Sequence, residues 1–172
     1  MKYLLYIFIF SLCFIQLKSS KASSIVQYAL ERVGSGYIWG GTGQILTEER
    51  LKILKNKYPS FIDEKKDRKW IGKQVFDCSG LVKTAFEGVG IHISHGATSA
   101  WENTRWALKG EISNLPKDKI SILYRKSYKG MVHTAIYIGN GQVIDAKGNK
   151  EGVVKEDFNS SWTHFGIPFG LY

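Results

Sequence analysis

Cys78 lies in the run Val75-Phe76-Asp77-Cys78-Ser79-Gly80-Leu81-Val82, an apolar lead-in followed by a small polar group and then a helical pattern. The chain has two cysteines; the other, Cys13, sits in an apolar N-terminal run expected to be removed, so Cys78 is left without an internal disulfide partner. A thiol attacks in its ionised form. The unpaired N–H groups and positive dipole end of a helix start favour that form, and small Ser79 and Gly80 leave room for a substrate to reach the sulfur. A buried cysteine with no base beside it is inert, so a partner histidine decides between the two.

Four histidines are available: His92, His95, His133 and His164. The run Met131 to Ile138 reads as a strand and Gln142 to Ala146 as a second, with Gly139-Asn140-Gly141 between them as a hairpin signal. A two-residue turn over Asn140-Gly141 would put His133 and Asp145 on opposite faces. A three-residue loop instead pairs Ile138 with Gln142 and sets Ala135 opposite Asp145. His133 then lies on the face of Asp145, one diagonal step away. The same register gathers Thr134, Ile136, Ile138, Ile144 and Ala146 on the other face, an apolar set suited to a core, and is therefore the expected one. His133 is then the expected base for Cys78, with Asp145 holding its tautomer. His164 has no carboxylate at strand spacing. His92 and His95 flank Ile93-Ser94 in a loop and are candidates to line a cleft.

These groups need elements to hold them. Helices are expected over Ser24 to Val33, Thr47 to Tyr58, Cys78 to Glu87 and Thr98 to Leu108. Thr47 caps the second, Glu48 and Glu49 occupy its first turn, and Pro59 stops it. Tyr37 to Gly43 reads as an aromatic-glycine loop and Asp63 to Lys73 as a charged loop. From Lys119 the period shortens, and strands are expected at Ile120 to Tyr124, Val132 to Ile138, Gln142 to Ala146 and Gly152 to Lys155, with another near Ile167-Pro168-Phe169. Helices first and strands second predict an α+β domain with an antiparallel sheet.

Met1-Lys2 precedes an apolar run, Tyr3 to Leu17, broken by Ser11 and Gln16. At roughly 15 residues it is shorter than the about 20 a spanning helix needs. It reads as a signal peptide over residues 1–22, cut after Ala22, and predicts a secreted protein. Residues 23–172 then make one domain, too short for an added binding module. The chain carries 24 Lys+Arg against 15 Asp+Glu, and losing Lys2, Lys18 and Lys21 lowers its net charge from +9 to +6. That balance favours anionic surfaces, and export argues against nucleic acid among them. No stable membrane insertion is expected after the leader is gone, and the protein is expected to be a monomer. One cysteine and scattered histidines show no metal-ligand spacing, and there is no phosphate-binding glycine loop, so no metal and no cofactor are expected.

Four motifs in order, Tyr37-Ile38-Trp39-Gly40-Gly41, Phe76 to Val82, His133 to Gly141 and Val143 to Ala146, resemble the NlpC-type cell-wall peptidases over nearly the whole mature chain. The resemblance implies a circularly permuted papain-like fold and a cysteine endopeptidase acting on peptidoglycan stem peptides, typically at the bond from γ-D-glutamate to a diamino acid. Cys78 matches the family nucleophile and His133 its base. Asp145 stands where the family most often has histidine. The resemblance also implies that Tyr37, Asp77 and Ser79 bind substrate at the peptide's amine end. A segment of about residues 42–74 is long for the family and reads as an insert. Rival readings are an amidase cutting the sugar–peptide link, a thiol acyltransferase on the same scaffold, and a secreted wall-binding protein without catalysis.

Overall fold

The computed structural model describes residues 21–172. The expected signal peptide lies outside the described residues for positions 1–20, and its expected cut after Ala22 falls at their edge. The described chain opens in helix α1, residues 21–31, which buries Ile25 and Ala29 completely. It ends two residues before the expected Val33, and Gly34 turns the chain at φ +88°.

Three short strands follow: β1 (Gly36–Tyr37), β2 (Thr42–Ile45) and β3 (Gln74–Phe76). They form a small sheet in the order β1-β3-β2, parallel for β1 with β3 and antiparallel for β2 with β3. The expectation of a simple loop over Tyr37 to Gly43 is corrected here. These strands are too short for an alternating pattern, and their common partner β3 comes about thirty residues later in the chain.

Between β2 and β3 run α2 (Glu48–Lys57), α3 (Glu64–Asp67) and a 3₁₀ turn at Arg68–Trp70. Thr47 caps α2 by accepting from the Arg50 N–H, as its sequence position implies. The charged stretch Asp63 to Lys73, expected as a loop, is helical over residues 64–70 and a turn beyond. Asp63 accepts from the Lys65 and Lys66 amides, and Trp70 is buried. A hydrophobic stripe is absent there, so only the capping aspartate marked the helix. Leu46, Leu51, Leu54, Ile62 and Trp70 pack with Ile38 and Val75 into a second hydrophobic cluster. The 42–74 segment therefore carries its own core and shares it with the strands on either side.

Helix α4 (Cys78–Glu87) matches its expected bounds. Helix α5 (Ala97–Asn103) is shorter than the expected Thr98 to Leu108, because Thr104 turns extended and β4 (Trp106–Glu111) begins. Strand β4 is claimed by pairing with β9 (His164–Pro168), from Trp106 opposite Pro168 to Glu111 opposite His164. Trp106 lies over Gly166, where any Cβ would overlap its ring. Long-range pairing of this kind overrides a local helical pattern.

The remaining strands are β5 (Ser121–Ser127), β6 (Gly130–Tyr137), β7 (Gln142–Gly148) and β8 (Gly152–Asp157). With β4 and β9 they form a six-stranded antiparallel sheet in the order β4-β9-β5-β6-β7-β8. The fold is α+β. In the centre of the sheet both faces are buried: Thr134, Ile136 and Ile144 on one, Ala135, Tyr137, Val143 and Asp145 on the other. Helix α4 packs against β6 and β7, so the face expected to carry the polar pair is sealed as well.

Candidate active site

Cys78 is the first residue of α4 and Asp77 is its N-cap, accepting at Oδ1 from the Gly80 N–H at 2.6 Å. The Asp77 amide donates to the Gly41 carbonyl at 2.9 Å. This docks the start of α4 against the β1–β2 turn. A Cβ on Gly80 would overlap that same Gly41 carbonyl oxygen, so helix and turn touch backbone to backbone. Gly80→Ala is expected to destabilise the protein by about 2 kcal/mol or more, because neither wall is a flexible side chain that can yield. Thermal unfolding checks this, and residual activity should fall further than the loss of folded protein alone because Cys78 moves with the helix.

The β6–β7 hairpin has the three-residue register. Ile136 pairs with Ile144 and Tyr137 with Val143, and the Ile138 N–H donates to the Gln142 carbonyl at 3.0 Å. Asn140 and Gly141 take positive φ in the turn, 51° and 72°. His133 Nε2 and Asp145 Oδ1 stand 2.8 Å apart. With Nε2 given to Asp145, Nδ1 is the ring nitrogen left for Cys78. Burial by itself pulls the His133 pKa down, but hydrogen bonds to Asp145 and Cys78 and the charge of both outweigh it, and the pKa is pushed up to about 9. His133 is thus held as an imidazolium between sulfur and carboxylate near neutral pH.

Two residues behind this pair had no signal in the sequence. Arg125 on β5 lies directly opposite His133, its guanidinium 4.3 Å from the ring centroid of Trp162. Trp162, wholly buried between β8 and β9, stacks on His133 with ring centroids 5.7 Å apart. Arg125 Nη2 is also 4.0 Å from Asp145 Oδ2, which accepts no hydrogen bond among the described residues. The guanidinium, the indole and the carboxylate together confine the imidazole ring. Strand order and the coil carrying Trp162 create this arrangement, and neither has a local sequence signature.

The other singled-out residues fall around the thiol. Tyr37, on β1, feels the charges of Cys78, Asp77 and Asp145, and burial above all raises its phenol far above the ordinary tyrosine value, so it remains an O–H donor. Asp77 and Ser79 are buried and line a cleft of about 570 Å³, which Cys78, itself 8% exposed, also lines. Ser79 Oγ donates to Asp77 Oδ1 at 2.9 Å and accepts from the Gly96 N–H at 2.9 Å. His95 lines the same cleft with Nε2 2.8 Å from Asp77 Oδ2, and that bond raises its pKa. His92 is mostly exposed beside Glu87. His164 lies edge-on to Trp101 with its pKa lowered by burial, and its Nδ1 is 3.0 Å from Thr163 Oγ1. Among the described residues no cluster of His, Cys, Asp and Glu is arranged to hold a metal ion, and no helix is long and apolar enough to cross a membrane.

A cysteine at a helix start, an imidazole on the neighbouring strand and a buried carboxylate behind it are the parts of a papain-like thiol hydrolase. The NlpC/P60 family model matches residues 34–166, and the chain belongs to this family of cell-wall peptidases. It is 27% identical over 147 residues to the probable endopeptidase p60 of Listeria monocytogenes, a match spanning 85% of this chain and 23% of the relative. It is 29% identical over 134 residues to the peptidoglycan endopeptidase RipB of Mycobacterium tuberculosis, spanning 76% of this chain and 46% of the relative. The chain thus spans less than half the length of these relatives. Among solved structures, RipB superposes with a TM-score of 0.61 at 22% identity, covering 87% of this chain and 65% of that one. The NlpC/p60 domain of the peptidoglycan hydrolase SagA gives 0.57 at 22%, covering 85% and 97%. These likenesses show the fold.

Proposed function

We propose that this protein is a secreted cysteine endopeptidase that hydrolyses peptidoglycan stem peptides at the γ-D-glutamyl to diamino acid bond. The hydrogen bond between His133 and Asp145, with Cys78 on the far side of the ring, carries the reading. Membership of the NlpC/P60 family and relatives named as peptidoglycan endopeptidases support the substrate class.

In this mechanism the Cys78 sulfur attacks the γ-carbonyl carbon of the glutamyl residue. The negative charge that develops on the carbonyl oxygen is met by the Cys78 N–H at the helix start and the Tyr37 O–H. The His133 imidazolium gives its proton to the leaving amine, leaving a thioester on Cys78. Neutral His133 then takes a proton from water, which attacks the thioester and frees the new carboxylate. Asp145 orients the ring through both steps. Asp77 and Ser79 shape the substrate floor, and residues 23–172 form the catalytic domain, with the 42–74 segment as one wall of its cleft.

Mass analysis of fragments released from purified wall tests this reading. The expected products carry a free glutamyl γ-carboxylate and a new amine on the diamino acid. Release of intact stem peptides from the glycan would assign an amidase instead. Joined stems without net hydrolysis would assign an acyltransferase, and the absence of any product a binding protein.

A further inference from the structure

Asp77 has no capacity left for a substrate ammonium. Its carboxylate is 5% exposed, and a carboxylate offers about four lone-pair positions. All are taken: Oδ1 accepts from Gly80 N–H and Ser79 Oγ, and Oδ2 faces Gly40 N–H at 2.9 Å and His95 Nε2 at 2.8 Å. Ser79 spends its hydroxyl as donor and acceptor within the protein. The group that holds the last position on this carboxylate is the His95 ring of the chain itself. A free peptide amine arriving here would have to displace the helix cap or the His95 hydrogen bond, and would be left facing the His95 ring.

The same cleft has an aromatic wall larger than the small apolar surface of a stem peptide calls for. Trp39 and Phe61 stack with ring centroids 4.2 Å apart and 10° between planes, yet they are 37% and 58% exposed. Both line the cleft with Tyr58 and Cys78. Tyr58 is wedged against Gly40, where a Cβ would meet its ring at 2.8 Å, and the segment bearing Phe61 is anchored by its own buried cluster. The wall is therefore built and held, not a stray exposed side chain. Alanine, glutamate and a diamino acid present charge and little apolar surface. The large flat apolar faces of a muropeptide are those of its pyranose rings, whose axial C–H bonds stack on aromatic rings while their hydroxyls turn outward. Thr98, Ser99 and Lys129 in the same cleft supply polar partners for such a rim.

We infer that the cleft takes stem peptides whose amine end is still acylated by the glycan, with an amino-sugar ring seated on the Trp39–Phe61 wall. This rests on the peptidoglycan reading above. The Cys78→Ala protein provides the binding test, because nothing is then turned over. Three ligands are titrated by calorimetry: one stem peptide with a free amine, the same stem N-acetylated, and the same stem carried on its disaccharide. The disaccharide form should bind about tenfold more tightly than the N-acetyl form, the worth of one good aromatic contact. The free-amine form should be the weakest. Adding Phe61→Ala should bring the disaccharide and N-acetyl forms together, and Phe61→Tyr should keep them apart. Phe61 is exposed enough that its removal leaves the fold intact. Tightest binding by the free amine, or a disaccharide preference unmoved by Phe61→Ala, overturns the inference. Wild-type protein that cuts none of the three overturns the peptidase reading, while the binding order still decides the sugar subsite.

Discussion

Cys78→Ala is expected to lower turnover of purified muropeptides by roughly a thousandfold or more, since the proposed nucleophile has no substitute in the site. The change removes one sulfur atom from the first turn of α4 and leaves the Asp77 cap, the Gly80 contact with Gly41 and the helix untouched. Its effect on stability should be small, about 1 kcal/mol. A structural cysteine would give the reverse pattern, a shift in melting temperature with the rate preserved. Steady-state rates on defined muropeptides, read beside thermal unfolding of both proteins, separate the two outcomes.

Asp145→Asn is expected to cost between about a hundredfold and ten-thousandfold in kcat/KM and to change the shape of the pH profile. In the native protein burial lowers the His133 pKa, and bonds to Asp145 and Cys78 overcome this and carry it up to about 9. In the proposed mechanism the proton for the leaving amine is therefore present below that value, and activity should decline as pH rises through about 9. Stability follows the same sign. A histidine whose pKa is raised by folding contributes fully below its ordinary value, and that contribution is lost as pH climbs through about 9. Asparagine keeps the volume and an acceptor oxygen but removes the charge, so the lowering effect of burial regains weight. The alkaline limb of kcat/KM should move to lower pH in the variant. A profile whose limb stays in place would mean that Asp145 does not set the state of His133.

The 42–74 segment reads, in the sequence, as an insert: charged, long for the family, with one clear helix. In the structure its first strand completes a small sheet through β3, its apolar residues share a core with Ile38 and Val75, and Tyr58 and Phe61 reach the cleft that Cys78 lines. Spacing alone could not reveal this, because none of those contacts is between neighbours in the chain.

Local rules were enough for several parts of the site. Asp77 as a cap and Cys78 at a helix start follow from one short run of residues. The placing of His133 beside Asp145 follows from the two-residue period of strands and the length of the Gly139-Asn140-Gly141 loop, since only one register puts Ile136 opposite Ile144 and Tyr137 opposite Val143. The α+β class followed from the change of period after Lys119. What only the tertiary structure decided was everything set by distance along the chain. Pairing with β9 made Trp106–Glu111 a strand where helical spacing pointed the other way. The order of strands put Arg125 opposite His133, and the return of the chain before β9 laid Trp162 on its ring. The folding of α5 toward α4 brought His95 onto Asp77 and closed the last lone pair of that carboxylate. Caps, turns and alternation are short-range energies that a few residues carry alone, whereas the partners of a buried charge are chosen by whichever distant segments the packing of the whole chain brings to it.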